Sequence, residues 1–258
     1  MIVEPPMERR EVIAGRLAQG QSVSATALAD EFAVSPDAIR RDLRMLAAEG
    51  RCRRVYGGAL PVSPASSPMA VRAGEAIERK LALANAAIGL IRPGEFLFLD
   101  NGSTNLALAR QLPGLDLTVA TNSAAVAASL ADRCDLRLLL TGGVVTPEVG
   151  GCVDATSVLA IQQMNIDRCF LGVCAVSAGE GVSAFHPADA LFKRALIARS
   201  RAVMMMVATD KLGTRAPHHV AALDEIDGIV VEHDAPMHAE FAAMQRLDIP
   251  LVTAAQPA

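Results

Sequence analysis

Three groups of residues have types and spacings suited to chemistry. The first is arginine. Arg40, Arg41 and Arg44 fall mostly on one face of a predicted helix, and Ile39, Leu43, Leu46 and Ala47 fall on the other. Arg51, Arg53 and Arg54 follow, leading to Tyr56 and a Gly57-Gly58 turn. Guanidinium forks match phosphate oxygens and the guanine edge in a DNA groove. The second group is a set of small turns after apolar runs: Asp100-Asn101-Gly102-Ser103-Thr104, Thr121-Asn122-Ser123 and Thr141-Gly142-Gly143. Hydroxyls, glycine backbone and helix N–H groups there can hold a phosphate, or simply cap a helix with nothing bound. The third group is Lys193, four residues beyond Asp189, and Lys211 beside Asp210. Each lysine reads either as half of a surface ion pair or as a cation facing an anionic ligand.

The elements that must position the arginines are readable. Residues 7–18 predict a helix with Met7, Ile13 and Leu17 available to a core, and residues 20–22 turn the chain. Ser24 caps a second helix with Ala25, Leu28, Ala29 and Phe32 as its apolar stripe, and Ala33-Val34 is a tight connection. Ser35 is an N-cap, Pro36 suits the first helical position, Asp37 sits well at the positive end of the dipole, and Gly50 stops the helix. Two short helices, a tight turn and a basic hairpin are the parts of a winged helix-turn-helix. The candidate DNA contacts are Ser35, Asp37, Arg40, Arg41 and Arg44 from the helix, with Arg53, Arg54 and Tyr56 from the wing. The plainer alternative is a helical hairpin with a solvated arginine face.

Composition bounds the rest. The 258 residues are 52% hydrophobic with mean hydropathy +0.32, and no apolar run reaches the ~18 residues of a membrane span. The mixed-charge start is no signal peptide, so a cytoplasmic location without membrane contact is expected. Five cysteines, at 52, 134, 152, 169 and 174, read as reduced core thiols. Neither they nor the histidines show metal spacing, so no metal and no cofactor is expected. His186 precedes Pro187 at a helix start, where it can cap or meet a ligand. Residues 1–60 carry nine arginines and eight acids, or +1, against fifteen bases and twenty acids, or −5, over 61–258. Residues 35–56 hold six arginines and three acids, or +3. A local basic patch on an acidic body suits nucleic-acid binding through one face.

The run 61–68, PVSPASSP, has three prolines and three serines and reads as a linker. The expected organisation is a DNA-binding domain at 1–60, a linker at 61–72 and a second domain at 73–258. The second domain opens with a long helix over 73–91. Strands are expected at 96–99, 117–120, 136–140, 169–173, 202–208, 228–231 and 251–252. Helices are expected at 105–112, 123–131, 154–164, 187–199 and 237–247. Such alternation predicts a largely parallel sheet covered on both faces, with ligands at the carboxyl ends of its strands. Met204-Met205-Met206 reads as core filler.

The sequence resembles the DeoR family of bacterial transcriptional regulators. Ser22-Val23-Ser24, Leu28-Ala29, Val34-Ser35, Ile39-Arg40-Arg41-Asp42-Leu43, Gly50 and the run 53–59, RRVYGGA, carry the resemblance in the first domain. Ala38 stands where threonine is usual and Tyr56 where histidine is usual. In the second domain it is carried by the three turns above, with Phe170-Leu171-Gly172, Gly181-Val182-Ser183, Lys193-Arg194 and Asp210-Lys211-Leu212-Gly213. Asn101 replaces the usual serine and Asp189 the usual glutamate. The resemblance implies an α/β effector domain, similar to ribose-5-phosphate isomerase and CoA-transferase, behind an N-terminal winged helix-turn-helix domain. It implies a phosphorylated sugar or related metabolite held by Asp100, Asn101, Gly102, Ser103, Thr104, Thr121, Asn122, Ser123, Gly142, Gly143, Lys193 and Lys211.

The expected function is a repressor of carbohydrate-metabolism genes, a homo-oligomer on double-stranded operator DNA, released by that metabolite and without catalytic activity. The alternative is an isomerase-like enzyme with an accessory DNA-binding head. Similar isomerases carry carboxylates where this chain has Val173-Cys174-Ala175-Val176, which leaves Asp100, Asp189 and Glu180 as candidate bases.

Overall fold

The computed structural model describes residues 6–18, 23–49, 51–61 and 69–257. The expected turn at 20–22, Gly50 and residues 62–68 of the expected linker lie outside the described residues, as does the side chain of Arg53. The chain divides into two compact units, Met1–Pro64 and Ala65–Ala258.

The first unit runs α1 (Pro6–Ala18), β1 (Val23–Ser24), α2 (Ala25–Glu31), α3 (Pro36–Ala48), β2 (Cys52–Val55) and β3 (Gly58–Pro61). Ser24 Oγ accepts the Ala27 N–H at 3.5 Å, and Ser35 Oγ accepts the Ala38 N–H at 3.2 Å, so both N-caps form. Between the helices Ala33 adopts φ 51°, which turns the chain within a few residues. Ile13, Leu17, Leu28, Ile39, Leu43 and Leu46 bury into one core. Met7, expected in that core, is exposed, because α1 turns its Ile13 and Leu17 face inward. The hairpin turn centres on Tyr56 and Gly57, and Gly58 already belongs to β3, where it pairs with Val55 and Ser24. A buried ion pair ties α1 to α3. Asp42 accepts from Arg9 Nε at 2.8 Å and lies 2.6 Å from Arg9 Nη2.

The second unit contains α4 (Met69–Gly74), α5 (Ile77–Ile88), β4 (Phe96–Leu99), α6 (Ser103–Ala109), β5 (Thr118–Thr121), α7 (Ala124–Leu130) and β6 (Arg137–Leu140). A small hairpin, β7 (Val145–Thr146) and β8 (Gly151–Cys152), precedes α8 (Ala155–Gln162) and β9 (Arg168–Leu171). Then come β10 (Ala175–Ser177), β11 (Gly181–Ala184), α9 (Pro187–Ala198), β12 (Val203–Val207), β13 (His218–Ala221), β14 (Gly228–Val231), α10 (Ala239–Gln245) and β15 (Leu251–Thr253).

Seven strands form one parallel sheet in the order β15-β14-β12-β9-β4-β5-β6. They are the seven expected strands, each within a residue or two. Side chains alternate between the faces. Leu97, Leu99, Met204 and Met206 pack with Leu83 and Ala87 of α5, whereas Phe98 and Met205 pack with Phe192 and Leu196 of α9. The three methionines therefore fill the cores on both faces.

Two expectations change here. The long helix over 73–91 is interrupted: α4 ends at Gly74, Ala76 adopts φ 46°, and α5 begins at Ile77. Lys80 Nζ donates to the carbonyls of Arg72 and Glu75 and satisfies the end that the break exposes. The thiols are not uniformly core, since Cys134 is exposed and Cys174 half-buried. A three-stranded antiparallel sheet of β10, β11 and β13 was not expected at all.

Asp42→Ala leaves Arg9 buried without its carboxylate. It should destabilise the first unit by ~3–5 kcal/mol and leave the second unit's unfolding unchanged, as followed by circular dichroism in a urea titration.

Candidate functional site

In the first unit the structure turns the arginines outward. Arg40, Arg41, Arg44 and Arg54 are exposed, and Tyr56 is fully exposed at the tip of the hairpin. Arg40 is tied to Asp37 at 2.7 Å, and Arg44 Nε donates to the Arg40 carbonyl at 3.3 Å. The Arg41 side chain has no hydrogen bond or ion pair among the described residues. The roles expected of Ser35 and Asp37 are therefore partly structural: one hydroxyl caps α3 and one carboxylate orients Arg40. Arg51 bonds Glu11 with both terminal nitrogens, at 2.7 and 2.9 Å, which fastens the base of the hairpin to α1.

The second unit has a cleft where the sheet changes direction. From β4 the chain steps outward to β5 and β6, then returns to β9 on the other side of β4 and steps outward again. The crevice at such a switch point, beyond the carboxyl ends of the strands, is where open α/β sheets bind ligands. Residues 101–105 after β4 line it, as do 171–174 after β9. Phe185, His186, Asp189 and Lys193 line it at the start of α9, Lys211 after β12, Arg72 on α4, and Glu148 and Val149 on the β7–β8 hairpin.

Two of the lining residues join Asp100, which sits behind them, in a buried trio. Lys193 Nζ lies 2.5 Å from Asp100 Oδ2 and 3.1 Å from Asp189 Oδ1, and all three side chains are at most 3% exposed. The remaining valences of Asp100 are filled by the Asn101 N–H at 2.7 Å and the Gly172 N–H at 2.8 Å. Gly172 is required here, because a Cβ would lie 2.2 Å from the Asn101 carbonyl. Asn105 Nδ2 donates to the carbonyls of Asp100 and Phe170, at 2.9 and 2.8 Å, and locks the ends of β4 and β9 together.

Burial works against the charge on Lys193, but Asp100 and Asp189 overcome it and hold the ammonium above its ordinary value. Burial pushes the Asp100 carboxyl up, Lys193 pulls against that, and Asp189 adds to it. Lys211 is pushed down by burial and donates to the Val173 carbonyl at 2.7 Å.

Of the residues expected at an effector site, Asn101, Gly102, Ser103, Thr104, Lys193 and Lys211 line this cleft, with Asp100 directly behind. Thr121, Asn122, Ser123, Gly142 and Gly143 do not line it. Thr121 bonds the Leu99 carbonyl, Asn122 the Cys152 carbonyl and Ser123 the Gly150 carbonyl, so this turn fastens β8 rather than facing the cleft. Gly142 and Gly143 follow the edge strand β6, and their loop is anchored by Asp154, which accepts the Val144 N–H at 2.8 Å. The pair of Asp189 and Lys193 is buried rather than superficial. His186 makes no side-chain cap. Sequence reasoning missed Arg72, Asn105 and Glu148 as lining. Arg72 was the last residue of the expected linker at 61–72, whose end the structure instead makes helical from Met69.

Lys193→Met leaves two buried carboxylates without a cation and should destabilise the second unit by ~3–5 kcal/mol near pH 7. The deficit should shrink as pH falls, because the Asp100 carboxyl, pushed up by burial, takes up a proton. In the unmutated protein, Lys193 stabilises fully below the ordinary lysine value of ~10.4 and loses that effect only as pH rises beyond it. Thermal unfolding across pH separates this from a pH-independent packing defect.

Comparison with known proteins finds a family match in each unit. Residues 9–65 match the DeoR-like helix-turn-helix domain, and residues 75–233 match the DeoR C terminal sensor domain. The uncharacterized HTH-type transcriptional regulator YgbI of Escherichia coli is 32% identical over 252 residues, covering 96% of this chain and 98% of that protein. The glycerol-3-phosphate regulon repressor of the same species is 32% identical over 83% of this chain and 86% of its own. Ribose 5 phosphate isomerase A from Neisseria gonorrhoeae superimposes with a TM-score of 0.39 at 15% identity, over 54% of this chain and 55% of that one. That last likeness is too distant to bear on function. With a helix-turn-helix match and a sensor-domain match that together span most of its length, this chain belongs to the DeoR family of transcriptional regulators.

Proposed function

We propose that this protein represses carbohydrate-metabolism genes by binding operator DNA, and that a phosphorylated sugar or related metabolite in the cleft releases it. The observation that carries this reading is the pairing, in one chain, of an outward arginine helix with a polar cleft at a sheet's switch point. Arg40, Arg41 and Arg44 would read the major groove, while Arg53, Arg54 and Tyr56 hold the flanking backbone. One such module makes few contacts, so the working form is a symmetric oligomer on repeated half-sites. The cleft suits an anion with hydroxyls. Asn101 Nδ2 is buried there without a partner among the described residues, and three cations border the space. The relative named as a glycerol-3-phosphate regulon repressor supports this class of effector.

Sensing is favoured over catalysis by the state of the candidate bases. Both oxygens of Asp100 are occupied, and it does not line the cleft. Glu180 is half-exposed and paired with Arg215. Of these three, only Asp189 lines the cleft, beside a lysine that pairs with it.

A gel shift on DNA upstream of the protein's own operon, repeated with glycerol 3-phosphate and other sugar phosphates, tests this directly. Binding that one of these esters releases is expected, and turnover of the same esters would overturn the reading. Arg41→Ala should weaken the shift by ~1–3 kcal/mol. Arg54→Gln should weaken binding to all sequences and lower the salt slope by about 1.

A further inference from the structure

One edge of the seven-stranded sheet is open. Arg137 and Thr141 donate their N–H groups to the carbonyls of Leu117 and Thr121, so the odd residues of β6 face β5. By alternation Leu138 and Leu140 turn their N–H and C=O groups the other way, where the sheet has no further strand. Those groups have no hydrogen bond among the described residues. Sheets guard such edges with charge, proline or a covering element. Residues 138–146 hold neither charge nor proline. Leu139, Leu140, Val144 and Val145 are instead 38% to 72% exposed.

A row of outward N–H and C=O groups is satisfied by another strand edge. Pairing β6 with β15 of a second copy leaves an edge open at each end and continues without limit. Pairing β6 with β6 about a two-fold axis closes at two. The antiparallel register that uses both outward residues sets Leu138 opposite Leu140 of the second copy, with Leu139 on the axis. Leu139 shares a face with Ala120, toward the core that α8 covers. Arg137 leaves the same face. Its side chain is exposed and has no hydrogen bond or ion pair among the described residues. In this register it falls opposite Thr141 of the second copy, two residues short of Gly143. Asp154, the N-cap of α8, stands over Gly143, where a Cβ would lie 2.5 Å from its Oδ1. The Val144 and Ser157 N–H groups hold the Asp154 carboxyl below its ordinary value. The unpaired guanidinium of one copy thus approaches a carboxylate of the other, twice across the axis. Asp135, which nears the same end, is already matched by Arg133 at 2.6 Å.

We propose that β6 is a two-fold interface between copies of this chain, its two strands pairing antiparallel so that the sheets of both copies continue as one. The exposed aliphatics of residues 139–145 extend the contact toward the roughly 800 Å² a side of a stable dimer. The pair has the symmetry that repeated half-sites demand, and it does not rest on what fills the cleft.

The test uses the full chain without DNA. Sedimentation equilibrium is expected to give a dimer or a larger even assembly. Leu139→Arg sets two like charges on the axis and should weaken association by roughly tenfold or more, halving the assembly. Leu140→Pro removes an N–H that points away from β5 and should do the same with little change in melting temperature. Leu139→Cys, combined with Cys134→Ser to remove the nearby exposed thiol, should cross-link two copies under mild oxidation, because a facing pair without ladder bonds has Cα atoms ~4.5 Å apart. That conservative variant serves if the other two do not fold. A monomeric wild type overturns the interface. An assembly unchanged by Leu139→Arg, or a Leu139→Cys chain that does not cross-link, overturns its placement on β6. A cross-linked dimer that shifts no operator DNA supports the interface and counts against the operator reading alone.

Discussion

Burying an ionised carboxylate costs on the order of several kcal/mol unless each oxygen finds a donor. Asp100 at the end of β4 meets this condition by drawing together three separate parts of the chain. Its oxygens are matched by Lys193 from α9, by the N–H of Gly172 after β9, and by the N–H of Asn101 beside it. None of these can shift without stranding a charge where water does not reach. The consequence is a fixed spacing between β4, β9 and α9, and that spacing is the cleft. The missing Cβ of Gly172 and the bridging amide of Asn105 serve the same arrangement. Asp100 and Lys193 therefore act as a frame, and the groups with chemistry to offer a ligand are those standing on it.

The first unit follows the same logic on a smaller scale. Arg9 and Asp42 form a buried pair that holds α1 on α3. With that pair and the apolar core turned inward, the arginines of α3 point outward. A charge that is structural in one unit and functional in the other cannot be told apart by residue type. What separates them is burial, which sets whether a guanidinium is already satisfied or available to a phosphate.

Much of this was legible in the sequence, and the part that was not has a physical reason. The five inner strands of the sheet are largely apolar runs, because a parallel sheet buries both faces, and such runs stand out, whereas the edge strands β6 and β15 are partly exposed. The caps at Ser24 and Ser35 and the arginine face of α3 are local signals. The antiparallel strands β10, β11 and β13 are short and mix small and polar residues, so no period marks them. The break at Ala76 rests on a left-handed alanine, a conformation that composition does not announce. Asp100 stands 89 and 93 positions before its partners Asp189 and Lys193, and only the crossing of β4 and α9 brings it to them. Thr121, Asn122 and Ser123 have the right chemistry and stand one strand away from the cleft, where Thr121 bonds β4 and the other two hold the β8 end of its hairpin. Residue type at a strand end identifies a candidate, and strand order decides which candidates meet.

The central claim is that cleft and operator compete for the state of one molecule, and reciprocity of binding tests it most directly. Calorimetric titration of the releasing sugar phosphate into the protein, free and saturated with operator DNA, gives two affinities. The account predicts weaker binding in the presence of DNA, by ~5–150-fold, and by the same factor by which the ester weakens DNA binding. Equal affinity with and without DNA would contradict it.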